Sequence, residues 1–271
     1  MTDRYAVIGN PIAHSKSPLI HAEFARQTGQ DLVYERLLGP LGQFRETVDA
    51  FRREGGRGLN VTLPFKLDAF EYAGRRTERA QAAGAVNTLR FDADGVLGDN
   101  TDGAGLVNDL ARNLGVKLAG ARILLLGAGG AAQGVVLPLL GEAPASLVIA
   151  NRTAGKALAL QQKFGGRGPV EGCGLDGLPG RAFDVVINAT SAAIGGEAPE
   201  LPDGLYSAGA IANEMMYGKG DTPFLAHAAA AGVARRADGL GMLVEQAAES
   251  FHLWRGVRPE TAPVLAMLRG G

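Results

Sequence analysis

Ile123-Leu124-Leu125-Leu126-Gly127-Ala128-Gly129-Gly130-Ala131-Ala132, followed further on by Leu147-Val148-Ile149-Ala150-Asn151-Arg152-Thr153, decides the fold of this chain. The first stretch reads as an apolar strand that breaks into a glycine turn and continues as a helix. The second reads as another apolar strand with a polar tip. In a strand–GxGxxA–helix opening, Gly127 allows the tight turn and Gly129 lets a pyrophosphate approach the backbone. Ala132 is the small residue that lets helix pack on strand. The N–H groups and dipole of the helix N-terminus then face the anion. An acidic residue at the second tip would accept the ribose 2′-hydroxyl of NAD. This tip reads Asn151-Arg152-Thr153, with Lys156 just beyond, and an arginine there suits the 2′-phosphate of NADP. A glycine turn alone marks many loops, and an arginine alone is usually a solvated side chain. The strand before, the helix after and the cation at the next tip together point to an NADP site made by Gly127, Ala128, Gly129, Gly130, Ala131, Asn151, Arg152, Thr153 and Lys156.

The 271 residues allow one large or two ordinary domains, and 46% hydrophobic with 20% charged residues is ordinary globular composition. A net charge of −1 gives no basic surface for nucleic acid or anionic membrane. The single cysteine, Cys173, excludes an intramolecular disulfide and a Cys-rich metal site, and its Glu-Gly-Cys-Gly setting suits an inert small residue. The four histidines, His14, His21, His227 and His252, lack metal-ligand spacing, so no metal is expected. With no leader and no long apolar span, the expected location is the cytoplasm.

Residues 5–10 predict a first strand, and Ser17-Pro18 a helix start with Ser17 as N-cap and Pro18 at the first helical position. Gly29 is its C-cap. Strands are expected at 32–38 and 58–63, and helices at 41–54 and 66–73. A hairpin is expected over 85–98 with Asp94-Gly95 as its turn. A helix over 101–114 and a link at 115–120 lead to strands near 122–126, 146–150, 184–189, 208–213 and 233–236, the alternation of a doubly wound parallel sheet. From Gly239, Leu243, Ala247, Phe251 and Trp254 recur at helical spacing, and these tail helices are expected to pack back on the first half. The expected fold is therefore α/β in two domains. Residues 1–102 and 239–271 form a discontinuous substrate domain, and 103–238 a Rossmann-type doubly wound NADP domain, with chemistry expected in a cleft between them.

Within 59–66, period two puts Asn60 and Thr62 on one strand face and Val61 and Leu63 on the other, toward a core. Lys66 follows at the carboxyl end of that strand, the edge that faces ligands in open α/β sheets. Taken alone, Lys66 is a solvated lysine at a helix start and Asp102 a helix N-cap. Gly84-Ala85-Val86-Asn87-Thr88, Gly98-Asp99-Asn100-Thr101-Asp102-Gly103 and the serines flanking Lys16 add hydroxyls, amides and a carboxylate. That set suits a small polyhydroxylated substrate, uncharged or acidic.

These segments carry a resemblance. Ser15-Lys16-Ser17-Pro18, Asn60-Val61-Thr62-Leu63-Pro64-Phe65-Lys66, Gly84 to Thr88, Gly98 to Gly103, Gly127 to Ala131, Asn151-Arg152-Thr153, Asn188-Ala189-Thr190-Ser191 and Ala237-Asp238-Gly239-Leu240-Gly241-Met242 occur in the order found in shikimate dehydrogenases. The chain resembles that family over essentially its whole length. The resemblance implies reversible NADP-linked interconversion of 3-dehydroshikimate and shikimate, on the route to chorismate and the aromatic amino acids. It implies Lys66 and Asp102 as the catalytic pair, with Lys66 moving the proton of the C3 oxygen. Free lysine, with a pKa of about 10.4, is a poor base at neutral pH. Burial favours the amine and a nearby carboxylate the ammonium, so the pair sets the balance.

Further roles rest on the same resemblance. Ser15 and Ser17 would hold the substrate carboxylate, and Asn60, Thr62, Asn87, Tyr217 and Gln246 its ring and hydroxyls. Thr190, Met215, Gly239 and Met242 would line the nicotinamide side, and Glu78 would lie near the cofactor. The family usually has glycine near Ala193 and aspartate where Glu214 stands. A close relative acting on quinate with NAD is the first rival, and the Arg152 tip argues against it. A non-catalytic NADP-binding regulator would not need Lys66 and Asp102. A methylenetetrahydrofolate-type dehydrogenase would lack the Ser15/Ser17 and Asn-Thr-Asp-Gly elements. The expected partner is the small-molecule substrate alone, with no nucleic acid and no membrane, and the chain as a monomer or homodimer.

Overall fold

The computed structural model describes residues 2–190, 200–218 and 220–270. The chain divides into two compact units, Met1–Gly105 with Leu243–Gly271, and Leu106–Met242. The first begins with β1 (Asp3–Gly9), α1 (Ser17–Thr28), β2 (Leu32–Leu38), α2 (Phe44–Arg53), β3 (Gly56–Val61) and α3 (Lys66–Tyr72). It continues with β4 (Arg75–Arg76), α4 (Glu78–Ala83), β5 (Thr88–Asp92) and β6 (Gly95–Asp99). Its sheet runs β2-β1-β3-β5-β6-β4. β1 is parallel to β2 and β3, while β3–β5 and β5–β6 are antiparallel.

Both faces of β1 are covered, which is why it reads as a continuous apolar run. Ala6 and Ile8 pack with Leu59, Val61, Phe65 and Leu89 on one face, under Phe44, Val48 and Phe51 of α2. Tyr5 and Val7 pack with Tyr34 and Trp254 on the other.

α5 (Asp102–Asn108) continues into one π-helical turn, Asp109–Asn113. The second unit then builds β7 (Arg122–Leu126), α6 (Gly130–Gly141), β8 (Ser146–Ala150), α7 (Ala154–Phe164), β9 (Val170–Cys173), β10 (Phe183–Asn188), β11 (Tyr206–Glu214), α8 (Pro223–Ala230) and β12 (Arg235–Ala237). Its order, β12-β11-β10-β7-β8-β9, with parallel pairing throughout, is doubly wound. The strand order reverses between β7 and β10, so the carboxyl ends there form the ligand crevice of such sheets.

α9 (Leu240–Arg255) and α10 (Ala262–Arg269) complete the chain. The tail from Leu243 packs on the first unit. Trp254 stacks on Tyr5 at 4.7 Å between ring centroids, and Phe251 meets Phe24 edge-on at 5.8 Å. Both phenylalanines are fully buried, each contributing about 1.5–3 kcal/mol. Arg258 pairs with Glu245 at 3.0 Å and with Glu249, and Arg79 reaches Glu249 at 3.4 Å.

Several expectations are corrected. Ser17 is the first helical residue, not the N-cap. Lys16 occupies the cap with α-helical angles, and the Ser15 hydroxyl, not that of Ser17, takes a backbone N–H, that of Ser17 at 3.3 Å. Pro18 is thus the second helical residue. Leu63 does not face a core; it is 70% exposed because β3 ends at Val61 and the alternation stops with it. The hairpin turn is Ala93-Asp94, since Gly95 already pairs with Asp92. The second helix starts at Phe44, and the helix expected over 101–114 divides into α5 and the π turn. Cys173 is half-buried in β9 with its thiol pushed up by burial, which leaves it unreactive. Among the described residues no His, Cys, Asp or Glu cluster could hold a metal, and no helix is long and apolar enough to cross a membrane.

Candidate active site

Lys66 opens α3, and Asp102 opens α5. Lys66 Nζ donates to Asp102 Oδ2 at 2.6 Å, with side chains 30% and 19% exposed. The other carboxylate oxygen, Oδ1, accepts Asn87 Nδ2 at 2.8 Å. The orientation of the Asn87 amide is unambiguous, because its Oδ1 accepts the Thr101 backbone N–H at 2.9 Å. Asp102 does not cap its own helix. Asn100 Oδ1 accepts the Asp102 N–H at 3.2 Å, which leaves the Asp102 carboxylate for Lys66 and Asn87.

The approach to Asp102 is braced by Asp99, which is 1% exposed. Burial pushes its carboxyl up, but Arg79 at 2.5 and 2.7 Å, with Thr77 at 2.6 Å, outweighs burial and holds it below the ordinary range.

A buried polar network continues from Asn87. Gln246 Oε1 lies 3.4 Å from Asn87 Nδ2 and 3.3 Å from Thr101 Oγ1. Thr88 donates to Asn87 Oδ1 at 2.8 Å. Asn60 Nδ2 donates to Ser250 at 2.8 Å and to Thr88 at 3.1 Å, and Tyr34 donates to Asn60 Oδ1 at 2.7 Å. Burial lifts the pKa of the Tyr34 phenol well above the usual value. Hydrogen bonds therefore run without a break from Tyr34 to Lys66. Ser15 stands beside this chain, its carbonyl held by Arg36 at 2.7 and 3.1 Å. The Thr62 backbone N–H bonds to Ile8 at 2.9 Å, while its hydroxyl bonds to nothing among the described residues.

The structure thus brings together Ser15, Ser17, Asn60, Lys66, Asn87, Asp102 and Gln246. Tyr217 belongs to the second unit and is 40% exposed. Glu78 is exposed in the first turn of α4. Tyr34, Thr88, Thr101 and Ser250 are members that sequence reading missed. Ser250 had a signal, since it falls one helical turn after Gln246 on the same face.

In the second unit, Gly127 sits at φ +104°, and a Cβ there would stand 3.1 Å from the backbone of Ala189. Only glycine fits. A Cβ at Gly129 or Gly130 would meet nothing within 4 Å, so open space lies over the N-terminus of α6. Ala132 is fully buried. Arg152, Thr153 and Lys156 are exposed past the end of β8, with Asn151 Nδ2 donating to the Thr153 carbonyl at 3.0 Å. An open cradle of N–H groups with two cations and no carboxylate at the strand tip fits NADP.

Past the ends of β10 and β11, Thr190 bonds to Asn188 at 2.8 Å and the Met215 N–H to the Asn188 carbonyl at 3.0 Å. A Cβ on Gly239 would stand 2.2 Å from the Met215 carbonyl oxygen, so this position too requires glycine. Met242 is buried. Ser191 and Ala193 lie outside the described residues.

An α/β unit carrying a lysine–carboxylate pair, in one chain with a doubly wound unit carrying a phosphate cradle and an arginine tip, defines the class of two-domain NADP-linked dehydrogenases. Comparison with known proteins narrows it. The model of the shikimate dehydrogenase substrate-binding domain matches residues 7–89, that of shikimate/quinate 5-dehydrogenase matches 109–194, and that of the shikimate 5′-dehydrogenase C-terminal domain matches 239–269. The shikimate dehydrogenase (NADP(+)) of Aromatoleum aromaticum is 64% identical over 98% of this chain and 97% of its own length. That of Nitrosospira multiformis is 62% identical over 99% and 98%. The shikimate 5-dehydrogenase of Thermus thermophilus, solved with NADP(H) and shikimate, superposes with a TM-score of 0.86 at 33% identity, covering 99% of each chain. The chain belongs to the shikimate dehydrogenase family.

Proposed function

We propose that this protein catalyses the reversible NADPH-linked reduction of 3-dehydroshikimate to shikimate, with Lys66 as the acid/base and Asp102 as its partner. The 2.6 Å contact between Lys66 and Asp102, inside a network of hydroxyls and amides, is the observation that carries the reading. NADP supplies the hydride acceptor or donor. In the reduction, Lys66 gives a proton to the C3 carbonyl oxygen of the substrate; in the oxidation it takes the C3 hydroxyl proton. Asp102 accepts from Lys66 on one oxygen and from Asn87 on the other, so the amine stays aimed as its charge changes. Asn60, Thr62, Asn87 and Gln246, with Tyr217, would bind the ring and hydroxyls. The Ser15 hydroxyl, which accepts from the Ser17 N–H, keeps its own proton to donate to the substrate carboxylate. Glu78, Thr190, Met215, Gly239 and Met242 would contact the cofactor. The reaction would take place in the cytoplasm, with the chain a monomer or homodimer.

The test follows nicotinamide absorbance with shikimate or quinate and with NADP or NAD. Fast turnover with shikimate and NADP, abolished in Lys66→Ala, is the expected result. Equal turnover with NAD or quinate would move the protein to the broad-specificity relatives, and Lys66→Ala at full rate would end the assignment of Lys66.

A further inference from the structure

We infer that Glu214 is a fixed buried anion that makes the second unit prefer the oxidised, positively charged nicotinamide over the reduced, neutral one. The inference rests on the reading that this unit binds NADP.

Glu214 is the last residue of β11 and is 0% exposed. Its Oε2 accepts Asn188 Nδ2 at 2.7 Å and the Thr222 hydroxyl at 3.2 Å, and its Oε1 accepts the Met216 N–H at 3.1 Å. Each partner is committed to donating. Asn188 Oδ1 already accepts from Thr190 N–H and Oγ, at 3.2 and 2.8 Å, so the amide NH2 faces Glu214. Thr222 Oγ1 accepts the Leu225 N–H as the N-cap of α8, which directs the hydroxyl proton to Glu214. With both oxygens accepting, the carboxyl is an ion. Burial is the larger effect and sets its pKa above the ordinary carboxylate value, against the pull of these donors. No cation is among its partners in the described residues.

The topology says what this charge faces. In a doubly wound sheet the dinucleotide lies across the switch between β7 and β10, with the 2′-phosphate end at the β8 tip beside Arg152. The nicotinamide end then falls to the carboxyl ends of β10 and β11, where Asn188 and Glu214 stand. The oxidised ring carries a formal positive charge and the reduced ring none. An anion held by groups that cannot turn away attracts the first and is indifferent to the second, and in a dry site that difference is large. Through Asn188 and the Met216 N–H, the same carboxylate also positions Thr190 and Met215.

The experiment measures dissociation constants for NADPH, by its fluorescence, and for NADP+, by competition, in the full-length protein. Glu214→Gln removes the charge, and its affinity for NADP+ should fall about tenfold more than for NADPH. Glu214→Asp keeps the charge; the ratio should stay near that of the parent even where both affinities weaken. Met216→Lys, at a half-exposed position, adds an opposing charge without removing a donor and should lower the ratio in the same direction. It decides the matter should the Gln variant lose its circular dichroism signal. Equal losses for both cofactor forms in Glu214→Gln, or an unchanged ratio in Met216→Lys, would overturn the inference and leave only a structural clamp. A parent protein that binds neither form would instead overturn the NADP reading itself.

Discussion

Asn87 holds the Asp102 carboxylate on the oxygen that Lys66 does not use, at 2.8 Å against 2.6 Å for the lysine. The acid of the pair is thus engaged on both oxygens before any substrate arrives, and its position depends on Asn87 as much as on Lys66. Replacing Asn87 by alanine should lower kcat about 10- to 100-fold while leaving the NADP dissociation constant unchanged. Lys66→Ala, which removes the proton carrier, should cost about 10²–10⁴ in kcat. Steady-state kinetics beside NADPH fluorescence titration checks both. An Asn87→Ala variant with parental kcat would show that Asp102 needs no second support.

Tyr34→Phe removes the hydrogen-bond donor that the buried carbonyl oxygen Asn60 Oδ1 has among the described residues. The unpaired acceptor should destabilise the fold by about 1–3 kcal/mol. Because Asn60 is tied to Ser250 and Thr88, the KM for shikimate should rise more than the KM for NADP. A urea titration and the two KM values decide this, and a variant with unchanged stability would remove Tyr34 from the network.

Gly127→Ala and Gly129→Ala should fail in different ways. At Gly127 the left-handed backbone and the nearby Ala189 backbone make a methyl group strained, so Tm should fall with a loss of about 1–3 kcal/mol. At Gly129 the added carbon meets open space, so Tm should hold. Cofactor affinity should still drop there, since the methyl group would stand where the pyrophosphate approaches. Calorimetry and cofactor titration separate the two.

Arg152 is exposed, with no carboxylate beside it at the strand tip. Arg152→Ala should therefore spare stability and raise the KM for NADP about 10- to 100-fold, with little effect on the KM for NAD, because a charge-assisted pair to the 2′-phosphate is lost. Equal changes for both cofactors would place the 2′-phosphate elsewhere.

His21 makes the fold sensitive to acid. It is fully buried, stacked on Tyr34 at 4.1 Å between centroids, and neither ring nitrogen has a hydrogen-bond partner among the described residues. Burial drives its pKa from 6.5 down to about 3. The folded protein thus holds fewer protons on this ring than the unfolded chain does. The stability this contributes is complete above pH 6.5 and is lost as pH falls from there toward 3, by at most about 1.4 kcal/mol per pH unit. Urea midpoints at about pH 7.5 and 5 should separate in the parent protein and draw together in His21→Phe. Equal separation in both would assign the acid sensitivity to other groups.

The strand–glycine turn–helix segment and the apolar strand ahead of Arg152 were legible because each is local. Strand alternation, glycine at a left-handed position and a cation past a strand end are properties of contiguous residues. The return of α9 to the first unit was legible as well, because Leu243, Ala247, Phe251 and Trp254 mark one helical face. The bounds of β3 and the inward placement of Leu63 were misread, because a strand ends where its partner strand ends, not where its apolar residues do. Ser17 does not act as a cap because the helix starts one residue earlier than its serine suggests: Lys16 takes the cap position and its carbonyl the Ile20 N–H. Thr88, Thr101, Tyr34 and Ser250 went unread as site members, since a hydroxyl carries no sequence sign of whether it faces solvent or another polar group.

The chain by itself determined that there would be an α/β fold and that one sheet would be doubly wound with an NADP cradle. Those properties follow from backbone preference and side-chain period. Only the tertiary structure decided that Lys66 and Asp102 meet, that Asn87 is turned to donate and that Glu214 is buried without a cation among its described partners. These are contacts between residues far apart in the chain, and only the packing within each unit brings them within hydrogen-bonding reach.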